Sequence, residues 1–298
     1  MKFKAIMNDN SKMREFLSVA LTLGKHEPNI IIISRNDSMT FTIPRDSNKP
    51  FIWFDINSST FFNLYKLEGV NPEDPEDDVI YCQVNASYFI TALSNIKKAA
   101  TFVEIKLQKE EFPFYTINMK IPSPNDQGKD FNISNKVPCL ILPRIDWDYY
   151  ELPYGTIPFD TQSKCPRFAT FKRFIDSFKY SNSIRFTMRQ DDTLSVEENL
   201  EATRHFTIFT KVKVTEYSNE DKAHKGPGIS VLVERKKISF WIHSLSFHVP
   251  INLNCCIHNN KHLELFFRIR NEVHSHFIIP ADYSEEDSDN EIETSDRD

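Results

Sequence analysis

The chain reads as an α+β protein built from two similar domains. Three observations predict this. Its 298 residues are ample for two cores of the common size of about 100–150 residues. A strand, helix, several strands, helix, three strands order is spelled twice, with corresponding helices beginning about 150 residues apart. A load of 25 Phe and 10 Tyr suits pleated faces, where aromatic and β-branched side chains pack well.

Taken in order, Lys2 to Met7 predicts a strand, and Met13, Phe16, Leu17, Ala20 and Leu21 share one face of a helix that Gly24 is placed to close. Strands are expected at Asn29 to Arg35, Met39 to Arg45, Phe51 to Ile56 and Val79 to Val84. Asn85 is the candidate cap of a second helix, with Phe89, Ala92, Leu93 and Ile96 facing inward. Three strands follow at Phe102 to Leu107, Phe114 to Lys120 and Phe131 to Leu142.

Between Pro143 and Pro158 the prolines, Gly155 and the aromatic set Trp147, Tyr149, Tyr150 and Tyr154 predict an exposed connector. A short strand at Thr156 to Asp160 precedes a third helix opened by Pro166 and faced by Phe168, Phe171, Phe174, Ile175 and Phe178. Strands at Ile184 to Arg189, Thr193 to Glu198 and Thr203 to Val214 lead past a polar loop, Ser218 to Gly228, to a strand at Ile229 to Glu234. A fourth helix carries Ile238, Trp241, Ile242 and Leu245, before strands at Ile251 to His258, Leu263 to Arg270 and Val273 to Pro280. The division expected is a first domain over 1–142, a connector over 143–158, a second domain over 159–283 and an acidic tail over 284–298. The tail has too little apolar surface to offset its ordering entropy and is expected to be disordered.

Several classes are excluded by what the chain lacks. Met1-Lys2-Phe3-Lys4-Ala5 opens without a signal-peptide h-region, and no stretch approaches the roughly 18 apolar residues of a membrane span, so an intracellular protein with no membrane partner is expected. Five cysteines without a Cys-x-x-Cys pair indicate neither a disulfide framework nor a standard zinc site. Six glycines form no phosphate-cradling loop. Cys255, Cys256, His258 and His262, with His274 and His276 nearby, are the best metal-ligand candidates and would serve a metal-dependent hydrolase. Asn259-Asn260 reads as a hairpin turn, which places His258 and His262 on either side of it. Asp191-Asp192 and Glu197-Glu198 sit in turn or strand positions with no pocket predicted. No enzyme, metal or cofactor is therefore expected.

The formal charge of −6 is unevenly spread. Residues 284–298 carry −7, which leaves residues 1–283 at +1. Within that part the four helical segments hold Lys12, Arg14, Lys25, Lys97, Lys98, Arg167, Lys172, Arg173, Lys179, Arg235, Lys236 and Lys237 against only Glu15, Asp176 and Glu234. Helices on one side of the sheets would thus present a basic surface suited to sequence-independent phosphate contact. The same charges would also serve as ordinary solvated helix faces, several of them in last turns where the dipole favours cations. Arg167 is set apart from the DNA-facing group, because helical spacing turns it towards the apolar side. Phe240 lies among polar positions of the fourth helix, where exposed packing is favoured over base stacking.

Particular residues carry a family resemblance. Met1 to Ala5, Phe61-Phe62-Asn63 with Glu68-Gly69-Val70, Phe112-Pro113, Val137-Pro138 with Leu142-Pro143-Arg144 and Trp147, Asn259-Asn260-Lys261, and Phe277-Ile278-Ile279-Pro280-Ala281 occur in order. Together they make residues 1–283 similar to the hydroxyurea-sensitivity subunits of the nine-one-one checkpoint clamp. That resemblance implies a sliding-clamp fold like proliferating-cell nuclear antigen, with four helices lining a ring around double-stranded DNA. It further implies two unlike clamp subunits as partners, an ATP-driven clamp loader, checkpoint kinase activators, repair enzymes and a nuclear location. A replicative processivity clamp shares the fold but closes from identical subunits. By resemblance the subunit edges are the strands containing Phe131, Ile133, Val137, Leu140 and Leu142, and Phe206, Ile208, Thr210 and Val212. Client peptides would dock beside Trp147, Tyr149, Tyr150 and Tyr154, unless those aromatics simply hold the connector to the sheets. The loop Asn71 to Asp78 and the acidic tail have no counterpart in the family's common core.

Overall fold

The computed structural model describes residues 2–46, 49–68, 78–98, 100–123, 130–152, 159–189, 191–199, 204–216, 228–245, 251–258, 261–269 and 273–282. The first half contains β1 (Lys2–Met7), α1 (Asn10–His26), β2 (Asn29–Ser34), β3 (Ser38–Thr42), β4 (Phe51–Asn57), α2 (Ser58–Phe61), β5 (Leu64–Glu68), β6 (Ile80–Asn85), α3 (Ala86–Leu93), β7 (Phe102–Lys109), β8 (Pro113–Ile121) and β9 (Phe131–Ile141). The second contains β10 (Thr161–Lys164), α4 (Phe168–Ser177), β11 (Ser183–Arg189), β12 (Thr193–Asn199), β13 (Arg204–Thr210), β14 (Val214–Glu216), β15 (Ile229–Glu234), α5 (Arg235–Ser244), β16 (Asn252–His258), β17 (His262–Arg268) and β18 (Val273–Pro280).

Two sheets take up these strands. One runs β14-β10-β16-β17-β18-β4-β3-β2-β6-β9-β8-β7-β1-β5, and the other runs β13-β12-β11-β15. The halves are joined inside the long sheet, where β18 pairs antiparallel with β4 from Val273↔Ile56 to Ile278↔Phe51. β9 turns a corner of this sheet: its Phe131–Pro138 stretch pairs with β8, and Cys139–Ile141 pair with β6 on the other side.

Helix formation follows local chemistry. The Asp9 carboxylate caps α1 by accepting from the backbone N–H groups of Ser11 and Lys12 at 2.7 and 3.1 Å. Asn85 caps α3 as expected, accepting from Tyr88 N–H at 3.2 Å. The apolar helix faces then close over the sheets. Phe16 of α1 meets Phe41 edge-on at 5.2 Å, and Trp241 of α5 stacks on Phe277 at 4.7 Å. The larger of two hydrophobic clusters among the described residues runs through both halves.

Several expectations need correction. Gly24 does not end its helix; it lies within α1, which closes at Glu27, and lets α3 approach. A Cβ built on Gly24 would stand 2.6 Å from Ile90 Cδ1 and 3.3 Å from Ala86 Cβ. Of the strand expected at Thr156 to Asp160, residues 156–158 lie outside the described residues, Phe159 and Asp160 are not in a strand, and β10 begins at Thr161. Pro166 precedes its helix by two positions, with Arg167 at the N-cap. The strand expected at Thr203 to Val214 breaks into β13 and β14, because Lys211 and Lys213 take positive φ values of 62° and 49°. β5 and α2 are additions that the sequence pattern did not signal.

The connector also differs from a loose exposed segment. Arg144–Tyr150 form a 3₁₀ turn docked on the long sheet. Trp147 stacks on Tyr81 at 4.4 Å and donates its indole N–H to the Leu142 carbonyl at 3.2 Å. Tyr150 and Leu152 pack on the same small cluster, which includes Ile31, Ile33 and Trp53, while Tyr149 stays exposed. Tyr154, the Asn71 to Asp78 loop up to residue 77, residues 217–227, Asn259-Asn260 and the acidic tail lie outside the described residues.

Gly24→Ala requires only a rotation of Ile90 and gains about 1 kcal/mol of helix propensity, so it is expected to be nearly neutral. Gly24→Val pushes a branched side chain into Ala86 and is expected to cost about 1–3 kcal/mol. Urea denaturation of the two variants checks the pair; equal stabilities would refute close α1–α3 packing as the reason for glycine.

Candidate nucleic-acid interface and assembly edges

The four longer helices form one layer. α1 lies on α3 through Gly24, and α5 is tied to α4 by His243 and Asp176, 3.0 Å apart. The two pairs meet where α1 touches α5: Lys25 Nζ donates to the Ser244 carbonyl at 3.1 Å, His26 lies 3.0 Å from the Ser244 hydroxyl, and the His26 ring meets Phe240 edge-on at 4.6 Å. Phe240 is thus occupied by packing, in agreement with its expected role.

The cations of this layer point away from the core. Arg14, Lys25, Lys97, Arg173, Lys179 and Lys236 are exposed, and Lys12, Lys172, Arg235 and Lys237 are half-buried. Some are partly committed: Lys12 donates to the Thr60 carbonyl, Arg235 to the Ser181 carbonyl, and Lys237 pairs with Glu234 at 3.2 Å. Arg14, Lys97, Lys172, Arg173, Lys179 and Lys236 have no carboxylate partner among the described residues. The acids are turned inward or held by neighbours: Glu15 is buried, Asp176 lies against His243 and Glu234 pairs with Lys237. Arg167, set apart from this group in the sequence, is exposed at the N-cap of α4 rather than turned into the apolar face. The Lys98 side chain lies outside the described residues.

Among the described residues the sheets end on β14, β5, β13 and β15, and of the edges expected at subunit contacts both are open at least in part. β13 pairs only with β12, and its Phe206 and Ile208 are 54% and 47% exposed. Thr210 is exposed as well. β9 is open only along Phe131–Pro138, because β6 covers the rest. Phe131 and Leu140 are exposed and Ile133 is half-buried on that strand. Val137, Leu142 and Val212, expected at subunit contacts, are instead buried inside this chain. Alternation explains Val137: on a strand with one face on the core, every second side chain points inward.

The histidine and cysteine cluster resolves into a hydrogen-bonded group. Glu264 lies 2.6 Å from His258 Nε2 and 2.5 Å from His276 Nδ1. Burial alone would raise the Glu264 pKa, but the bonds from the two histidines outweigh it and hold the carboxyl down at about 2. Burial pushes the Cys255 and Cys256 thiols up, away from the thiolate form a metal needs. Among the described residues no group of three or more His, Cys, Asp or Glu is disposed to hold a metal ion. Sequence reasoning missed two features here, the α1–α5 joint and a lysine-lined groove beside β13, because both bring together residues distant in the chain.

A family model described as Hus1-like protein matches residues 1–282. The chain is 25% identical to the "Checkpoint protein Hus1-like" of Drosophila melanogaster over 94% of its own length and 99% of that protein. It is 22% identical to "Checkpoint protein HUS1" of Homo sapiens, with the same two coverages of 94% and 99%. Among solved structures it is similar to PCNA from Thermococcus kodakaraensis, with a TM-score of 0.66, 14% identity, and coverage of 94% of this chain and 100% of that one. It is also similar to a chain of the PCNA2-PCNA3 complex from Sulfolobus tokodaii, with a TM-score of 0.63, 14% identity, and coverage of 94% and 99%. The expected α+β sliding-clamp fold is therefore shown.

Burial, and secondarily the charge of Lys25, lower the His26 pKa to about 4. The unfolded chain, with a histidine near 6.5, takes up a proton that the folded joint refuses, so stability falls as pH drops from about 6.5 towards 4. The expected loss is of order 3 kcal/mol, visible as a declining melting temperature. In His26→Gln that part of the pH dependence should vanish; an unchanged profile would refute the assignment.

Proposed function

The chain belongs to the Hus1-like protein family, and from that premise we propose that it is a non-enzymatic subunit of a heterotrimeric ring that encircles DNA in the nucleus. Residues 1–142 and 159–283 are the two clamp domains of this reading, 143–158 the connector and 284–298 an acidic appendage. The ring acts as a scaffold for DNA-damage signalling and repair, is placed on DNA by an ATP-driven loader, and offers docking sites to checkpoint kinase activators and repair enzymes. The observation that carries it is the single helix layer, whose outward cations are in excess over acids that are already paired or buried. Sequence-independent phosphate contact needs that arrangement and no more.

Lys12, Arg14, Lys25, Lys97, Lys98, Lys172, Arg173, Lys179, Arg235, Lys236 and Lys237 form the DNA-facing surface, with Arg167 added by its exposure. Of the connector aromatics among the described residues, Tyr149 is the one exposed enough to receive a client, at 64%, while Trp147 and Tyr150 hold the connector to the sheet; Tyr154 belongs to the same proposed docking site. The open edges of β13 and of β9 over Phe131–Pro138 are the ring contacts, joined head to tail. A second copy of this chain as neighbour would make it a homomeric processivity clamp instead.

Two experiments test this reading. Lys172→Glu combined with Lys236→Glu in the assembled ring should weaken binding to all DNA sequences alike and reduce the slope of log K against log salt by about 2. An unchanged slope counts against the helix layer as the DNA surface. On β13, successive N–H groups alternate between β12 and the open side, so of Thr207→Pro and Ile208→Pro one disrupts the sheet and the other only the edge. The member that keeps near-native circular dichroism should fail to enter a trimer in light scattering; if it assembles, β13 is not a subunit contact.

A further inference from the structure

Beside the open edge of β13 the surface sinks into a groove of about 440 Å³. Ile208 and Phe209 of β13, with Val212, give it an apolar lining, and Lys164, Lys211 and Lys213 surround it. All three lysines are exposed, and none has a carboxylate partner among the described residues. The left-handed backbone at Lys211 and Lys213 breaks the strand there, and the Lys164 N–H to the Val212 carbonyl, at 3.2 Å, fastens the break to β10. The neighbouring acids are engaged with the chain itself. Asp192 accepts from Val214 N–H at 2.9 Å, and Asp191 accepts from the Thr193 hydroxyl at 2.5 Å.

We infer that this groove selects, at the β13 edge, an extended strand of an unlike subunit that alternates apolar residues with aspartate or glutamate. The inference rests on the ring reading above and adds the chemistry of the neighbour. Backbone pairing with the open edge supplies affinity, apolar side chains lie against Ile208, and carboxylates meet the three ammonium groups. A second copy of this chain is a poor occupant. Its β9 edge, open over Phe131–Pro138, carries no acid and one base, Lys136, whose ammonium lies 3.0 Å from Glu110. The open segment thus offers the three groove lysines no carboxylate of its own, so the groove favours an acidic partner over a second copy.

Three ten-residue peptides, alternating valine with glutamate, glutamine or lysine, provide the probe, with binding to the full chain followed by fluorescence anisotropy. The glutamate peptide should bind about tenfold more tightly than the glutamine peptide, the lysine peptide most weakly, and added salt should erase the preference. Lys164→Glu, Lys211→Glu and Lys213→Glu together should abolish the preference, and the three Lys→Arg changes should retain it. Equal affinity for the glutamate and glutamine peptides overturns the inference, as does a preference that survives charge reversal. A chain lacking residues 284–298 that binds the glutamate peptide tenfold better would assign the groove to its own acidic terminus and likewise overturn it. If the preference is absent while the edge-only proline variant of β13 still blocks trimer formation, the groove inference falls and the ring reading stands.

Discussion

The antiparallel pairing of β4 with β18 is the constraint on which the rest of the molecule depends. β4 is apolar on both faces from Phe51 to Phe54, and β18 is apolar on both faces from Phe277 to Ile279, so neither tolerates being a solvent-exposed edge. Joining them removes two edges at once and merges the sheets of both halves. Once the sheet is continuous, the helices above it are brought side by side, and α1 meets α5 through Lys25, His26, Ser244 and Phe240. The shared helix layer is therefore a product of strand pairing beneath it, and no long interhelical seam is needed to build it.

That layer concentrates like charge, which costs free energy in an isolated chain. The cost is contained by exposure, since cations at the surface are screened over about a Debye length of 8–10 Å at ordinary salt. Acids within the layer are buried or paired, so they offset little of the outward field. On the opposite side of the sheet the charges are handled differently. Arg35, held by Glu151 and lying over Trp53 and Tyr81, belongs to the cluster that fastens the connector, and Glu264 is enclosed by two histidines. The outer face thus spends these polar groups on internal bonds, whereas on the helix face Arg14, Lys97, Lys172, Arg173, Lys179 and Lys236 have no carboxylate partner among the described residues.

Much of this was legible in the sequence, for identifiable physical reasons. Helical spacing of Phe16, Phe89, Phe171 and Trp241 and the strand runs are local patterns, and they located nearly every large element. What failed was local pattern overruled by neighbours. Gly24 looks like a terminator until Ile90 and Ala86 are seen to press against it. Trp147 and Tyr150 look exposed until Tyr81 and Trp53, remote in sequence, provide a surface for them. β5 is short and half-exposed, and it exists because β1 offers it a ladder from Lys2↔Glu68 to Ile6↔Leu64. Val137 sits on an open edge yet faces the core, a distinction of side-chain direction that a list of edge residues does not carry.

The joint between β4 and β18 also governs when the protein can fold. Asp55 and His274 face each other across it, roughly 220 residues apart in sequence. Contacts of such separation form late, because the intervening chain must first be gathered at an entropic cost. During synthesis the first half emerges with β4 as a bare, apolar edge, and it keeps that edge until the last strands leave the ribosome. For that interval the nascent chain presents a template for mispairing. Completion of the sheet is thus a checkpoint in the protein's own biogenesis, passed only when β18 has been translated.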